Sequence, residues 1–292
     1  MTHTLKKLPI TVLLAAKNEA ANLPRCLTAL SPATRAIVLD SHSTDATADI
    51  ARSHGAEVWQ FDYSGGYPKK RQWALENIAI VTPWVLLLDA DEVIPGALWK
   101  EIADVVNQPD ASAAYMITKG FHFLGRRFKH GGFSHSAVLL FKMGKARFER
   151  LLENEPSSMD MEIHERIVVQ GRIGRLKTPI IHEDFKGLSA YIDRHNQYST
   201  WEAAVRYHYL QTGEYGSEII QPRLLGNSQE RRRFLKAIAL RVPFESSLWF
   251  LYHYVLRFGF LEGRPGLIAS QIRASYISQV RAKIFELSQK VE

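Results

Sequence analysis

Trp84 to Leu88 is an unbroken apolar run that ends in Asp89-Ala90-Asp91-Glu92. A run of this length, opened by Pro83, predicts a strand buried on both faces. Earlier in the chain, Ile10 to Ala16 predicts a first strand that stops at Lys17-Asn18-Glu19. Leu23, Leu27 and Leu30 then recur at helical spacing within Ala20 to Leu30, and Pro32 ends that segment. Arg35 to Asp40 predicts a second strand, followed by Ser41-His42-Ser43-Thr44-Asp45, a polar turn rich in helix-capping residues. A helix over Ala46 to His54 closes on Gly55, and Glu57 to Phe61 is a third short strand. Tyr63 to Pro68 is a glycine-containing loop, and Lys69 opens another helix before the Trp84 strand. Strand and helix alternate along this half, the pattern of a right-handed parallel α/β sheet.

The pattern changes beyond residue 110. Ala113 to Ile117 and Ser136 to Phe141 predict two further strands. Between them, Phe121 to Gly132 is basic, aromatic and glycine-rich, which suits either a mobile loop facing an anionic acceptor or a basic surface hairpin. Leu151 to Asp160 turns polar and acidic, a loop placed to cover a site. After Lys186 the segments are helical: Leu188 to Leu210, interrupted afterwards by Gly213 and Gly216, then Phe234 to Arg241 and Leu248 to Phe258. The expected division is a catalytic domain over 1–187, with a nucleotide half to about 110, and a helical extension over 188–292.

Composition adds three constraints. The 292 residues are 46% hydrophobic, enough for a substantial core. A single cysteine, Cys26, excludes an intrachain disulfide. The formal charge is +7, and Arg223 to Glu292 holds twelve Lys and Arg against five Glu, so the excess sits in the last quarter. That points the tail toward an acidic surface, membrane or nucleic acid. The beginning of the chain reads as a first strand and not a signal peptide, and no window reaches the length of a spanning helix.

In a parallel sheet the loops after successive strands gather at one edge, so Lys17-Asn18-Glu19, Asp40 with its Ser/Thr turn and Asp89-Ala90-Asp91 would meet. Two carboxylates beside one another make a hard oxygen site for Mg²⁺ or Mn²⁺, an ion that brings phosphate oxygens with it. The plainer alternative is a solvated acidic turn, or Asp91 capping the helix that Pro95 starts. Neither a dinucleotide fingerprint nor a P-loop is present, so phosphate would fall to metal and to basic side chains such as Lys69 and Arg71. Those two also fit a solvated helix start. Glu162, His164 and Arg166 alternate as the wet face of a strand would.

Four motifs in order carry a resemblance: Ala16-Lys17-Asn18-Glu19, Val38-Leu39-Asp40-Ser41-His42-Ser43-Thr44-Asp45, Lys69-Lys70-Arg71-Gln72 and Leu88-Asp89-Ala90-Asp91-Glu92. The chain resembles family 2 glycosyltransferases of the GT-A fold, and within them bacterial enzymes related to lipopolysaccharide-core glucosyltransferases. The likeness continues through Ile163-His164-Glu165-Arg166, Ile181-His182 and Gly259-Phe260-Leu261-Glu262-Gly263. It implies inverting transfer from a nucleotide sugar, UDP being favoured, with a divalent cation, Mn²⁺ or Mg²⁺. Ala16 to Glu19, Asp40 and Ser43 would contact the nucleoside, and Asp89 would face ribose or the metal's water shell. Asp91 would ligate the metal with help from His182. The His-Glu motif makes Glu165 the general base, with Asp160 and Glu162 in reserve. His42 stands where relatives often carry glycine.

The resemblance also implies a lipid-linked or glycolipid acceptor in cell-surface glycan synthesis, on the cytoplasmic face of the membrane. The basic, aromatic C-terminal helices suit the membrane interface, or else a homo-oligomer contact. Three other function classes compete with this one. A polyprenyl-phosphate glycosyltransferase would need no general base. A nucleic-acid-binding protein would use the basic tail, which lacks any zinc, RRM-like or helix-turn-helix pattern, so no nucleic-acid partner is expected. A nucleotide-sugar sensor would keep the acids without turnover.

Overall fold

A computed structural model describes residues 7–150, 160, 162, 166–213, 222–226, 228–239 and 241–289. The first half alternates as the pattern predicts: β1 (Leu8–Ala16), α1 (Leu23–Thr28), β2 (Ala33–Asp40), α2 (Thr47–Ser53), β3 (Glu57–Gln60), α3 (Lys70–Asn77) and β4 (Trp84–Asp89). After it come β5 (Glu92–Val93), α4 (Gly96–Val106), β6 (Ala114–Phe123), β7 (Arg126–Arg127), β8 (His135–Lys142) and β9 (Ala146–Phe148). Three short strands follow, β10 (Ile167–Val169), β11 (Ile173–Arg175) and β12 (Ile180–His182). The chain then becomes helical, with α5 (Gly187–Thr212), α6 (Ser228–Ala239), α7 (Glu245–Leu251) and α8 (Gly263–Gln289).

The main sheet runs β3-β2-β1-β4-β8-β6-β12-β5, with β7 and β11 also on β6. β3, β2, β1 and β4 are parallel, whereas β8 is antiparallel to both β4 and β6. This mixed, mostly parallel sheet with flanking helices is the GT-A architecture. Ile10, Val12 to Leu14, Ile37 to Leu39 and Val85 to Leu88 are all buried, because strands covered on both faces have no solvent side to make polar. Each such side chain contributes about 1.5–3 kcal/mol on leaving water.

Two elements differ from the pattern for local reasons. α1 begins at Leu23 and not at Ala20, because Pro24 sits in its first turn, the position where proline's missing N–H costs nothing. β6 runs six residues beyond Ile117, through Thr118-Lys119-Gly120 to Phe123. The strand can carry Lys119 because Asp89 and Glu92 accept its ammonium. The Phe121–Gly132 stretch is the hairpin alternative, with Phe123 opposite Arg126. His42 has φ 51°, a left-handed conformation that glycine adopts without strain.

Candidate active site

Parallel register decides where the loops meet. Ala16 pairs with Asp40, and Ala15 pairs with Asp89, so β1, β2 and β4 end at one level. The loops after them form a continuous wall. Asn18 N–H donates to Ser43 Oγ at 2.8 Å, and Thr44 N–H donates back to Asn18 Oδ1 at 2.8 Å. Glu19 N–H donates to Thr47 Oγ1 at 2.8 Å. Buried Asp40 accepts from the Ser43 N–H at 3.2 Å, from the Ser43 hydroxyl, and from Gln60 Nε2 at 2.9 Å. Asp40 thus shapes the turn that presents Ser43 and Asn18, while Lys17 stays exposed.

The basic run is buried, which overturns the solvated helix start. Arg71 donates to the Asp89 carboxylate. Lys70 Nζ reaches Ala16 O at 3.0 Å and Asp160 Oδ2 at 3.1 Å. Lys69 Nζ lies 3.9 Å from the ring centroid of Trp201 in α5. α5 therefore packs against the start of α3.

The acid turn is held by β12, whose antiparallel pairing with β5 sets His182 opposite Glu92. His182 Nδ1 lies 3.3 Å from Glu92 Oε1 and 3.7 Å from Asp91 Oδ1. Asp89, Asp91 and His182 each bring one ligand atom within 4.8 Å of the others, a donor set that fits a divalent cation. Glu92 is fully buried and also accepts from the Asp89 N–H at 2.9 Å and from Lys119 Nζ at 2.7 Å. Lys119 Nζ donates as well to Asp89 Oδ2 at 2.6 Å.

These contacts separate the two aspartates electrostatically. Burial raises a carboxyl, but Lys119 and Arg71 hold Asp89 well below the usual carboxylate range. Burial, then Asp89 and Glu92, push Asp91 up against the opposing pull of His182 and Arg194. Burial would depress His182, but Asp91 and Glu92 raise it to about 9.

The expected reserve bases are committed elsewhere. Buried Glu162 accepts the Gln72 N–H at 2.9 Å and the Arg71 N–H at 3.2 Å, at the N-terminus of α3. Asp160 is paired with Lys70, and its carboxyl is lowered. Glu165 lies outside the described residues, and of the loop expected over Leu151 to Asp160 only Asp160 lies within them.

Sequence reasoning missed four residues. Lys119 and Glu92 form the buried frame of the acid turn. Arg194 and Tyr198 of α5 also reach the site's field: burial and then the carboxylates of Asp89, Asp91 and Glu19 raise Tyr198, against Arg194. Arg194 itself donates to Asp184 at 2.6 Å, and Asp184 accepts from Asn22, which also donates to Glu19 at 2.8 Å. The available signal was Lys119 itself, since a lysine inside an apolar strand requires a carboxylate.

Among known proteins, the lipopolysaccharide core biosynthesis glycosyltransferase LpsC of Rhizobium meliloti is 25% identical over 288 residues, 97% of this chain and 94% of that protein. Glucosyl-3-phosphoglycerate synthase from Mycobacterium tuberculosis, solved with Mn²⁺, UDP and glucosyl-3-phosphoglycerate, is 25% identical with a TM-score of 0.32, over 40% of this chain and 45% of that one. Residues 1–349 of S. aureus TarS give a TM-score of 0.43 at 15% identity, over 97% of this chain and 92% of that one. Residues 11–161 match the family profile described as Glycosyl transferase family 2. That match spans the first four strands, the acid turn and the basic run, and the chain belongs to glycosyltransferase family 2.

Proposed function

We propose that this glycosyltransferase is inverting and metal-dependent, and that it moves a hexose from a UDP-sugar to a lipid-linked or glycolipid acceptor in cell-surface glycan synthesis. The reading places it at the cytoplasmic face of a membrane. The observation that carries it is the convergence of Asn18, Ser43, Asp89, Asp91 and His182 on one edge of the sheet. The near full-length likeness to a lipopolysaccharide-core enzyme supports the acceptor class, and UDP is the nucleotide implied by the family resemblance.

In this reading the Ala16–Glu19 and Asp40–Ser43 loops hold the nucleoside. Asp91 and His182 hold the cation, with Asp89 turned toward ribose or the cation's water shell. When bound, the cation supplies positive charge that offsets the charge developing on the departing diphosphate. Glu92 and Lys119 fix the ligand side chains, which limits reorganisation as that charge develops.

Direct inversion onto a hydroxyl requires a carboxylate or an imidazole on the acceptor side. It takes the proton of the acceptor hydroxyl while that oxygen bonds to the anomeric carbon, and the bond to the diphosphate oxygen breaks with its electron pair. Glu165 is assigned this role. The engagement of Glu162 at α3 and of Asp160 with Lys70 favours it over the two reserves. The test is the anomeric configuration of the product made from an α-linked UDP-sugar: a β-linked product agrees with direct inversion, and an α-linked one rules it out.

A further inference from the structure

Between α7 and α8 the chain makes a π-helical turn, Tyr252–Leu256, and a short 3-10 turn, Gly259–Glu262. Leu251, Val255, Leu256, Phe258, Phe260 and Leu261 point outward here, each at least 43% exposed. Phe258 combines 55% exposure with φ 58°, a left-handed conformation that a bulky side chain adopts only at a cost. The ring meets Phe260 at 6.1 Å between centroids, and more than half of the residue stays exposed. Such strain is a feature of sites that act on a partner as well as of turns.

This turn is fastened to the β6–β8 connection as one surface. Gly131 N–H donates to Arg257 O at 2.7 Å, and His253 Nδ1 lies 2.6 Å from Gly131 O. Buried Glu262 accepts the Lys129 and His130 N–H groups, both at 2.7 Å, and Arg126 Nε at 2.8 Å. Gly132, beside Arg257, has φ 69°, a left-handed conformation that favours glycine. Phe121, Phe128 and Phe133 pack beneath.

Around the apolar side chains stand exposed Arg126, Arg127, Lys129, Arg257 and Arg264. From Leu124 to Phe133 the sequence has no acid, and from Arg241 to Arg264 the only acids, Glu245 and Glu262, are buried. The surface is therefore apolar at its centre and cationic at its rim. We propose that it docks on an anionic lipid bilayer, with the apolar side chains entering the headgroup region and the cations meeting lipid phosphates. A second copy of the chain is a poor occupant, because a symmetric contact would oppose the same cations.

The assignment rests on the reading of a membrane-resident acceptor and narrows it to one face. It also gives that face a distance from the chemistry. His182 pairs with Phe121 on β6, and Phe123, at the root of the hairpin, lies about 7 Å further along that strand. A lipid-borne acceptor head could span that gap without leaving the bilayer.

The test is flotation of the full chain with vesicles of phosphatidylcholine alone, or of equal parts phosphatidylcholine and phosphatidylglycerol. Binding to the anionic vesicles only, weakened by salt, is expected. Leu256→Asn with Phe258→Asn should reduce it by about tenfold or more, and Arg127→Glu with Arg264→Glu by about tenfold or more. Asparagine tolerates the left-handed conformation better than phenylalanine, so the first variant should melt no lower than the parent. A merely structural role predicts the opposite.

Equal vesicle binding by parent and variants would overturn the proposal. So would absence of binding by the parent, or a dimer that the asparagine variant dissolves. Thermal shift with UDP and Mn²⁺ is followed in parallel. A normal nucleotide shift without vesicle binding sinks the docking surface alone, whereas vesicle binding without any nucleotide shift upholds the surface and sinks the donor reading.

Discussion

Lys119 Nζ sits 2.6 Å from Asp89 Oδ2 and 2.7 Å from Glu92 Oε1, joining the central strand β6 to the acid turn after β4. Both carboxylates and the ammonium are largely removed from solvent, and Arg71 reaches Asp89 from the other side. Asp89 is consequently a structural anion as much as a ligand, whereas Asp91 faces His182 across 3.7 Å.

Lys119→Met should therefore be severe. It fills similar space but leaves Asp89 and Glu92 short of a cation in a buried setting, a change that costs about 3–5 kcal/mol. Urea denaturation measures this directly. A loss below about 1 kcal/mol would mean that Arg71 and His182 suffice to balance the turn.

Glu165→Gln should spare donor binding and lower transfer by about 10²–10⁴-fold, the range for removing a general base. Nucleotide affinity and steady-state transfer, measured on the same preparation, check it. Near-normal turnover would favour an acceptor that is already ionised, as a polyprenyl phosphate is.

Glu262 gives a pH prediction away from the metal ligands. Burial would raise its carboxyl, but Arg126, the His130 and Lys129 N–H groups and the His130 side chain lower it from 4.5 to about 2. A depressed folded value means that its stabilisation is complete above about pH 4.5 and disappears as pH falls toward 2. Glu262→Gln should cost about 2 kcal/mol at neutral pH and flatten the acid limb of the stability curve. Stability curves from pH 2 to 7 for the two proteins should converge at the acid end; parallel curves would contradict the assignment.

What could be read from the chain follows the range of the interactions. Apolar runs such as Trp84 to Leu88 announce buried strands, and the strands' order then brings Lys17-Asn18-Glu19, Asp40 and Asp89-Ala90-Asp91 together. His182 was legible through the family motif. The frame was not, because Lys119, Glu92, Arg194 and Tyr198 act through partners distant in sequence. Lys69 and Arg71 read equally as wet helix residues until Trp201 and Asp89 are placed against them. β6 was cut short because a lysine ends an apolar run unless a buried acid awaits it.

The central claim is a nucleotide diphosphate held with a divalent cation at Asp91 and His182. Thermal shift of the parent and of Asp91→Asn tests it, using UDP, GDP, CDP and dTDP with Mn²⁺, Mg²⁺ or EDTA. Binding to the folded state at a hundredfold excess over Kd adds about 2.7 kcal/mol, which raises the Tm by several degrees. The account predicts a rise with UDP that EDTA erases and Asp91→Asn lacks. A rise that survives both, or no rise with any diphosphate, would contradict it.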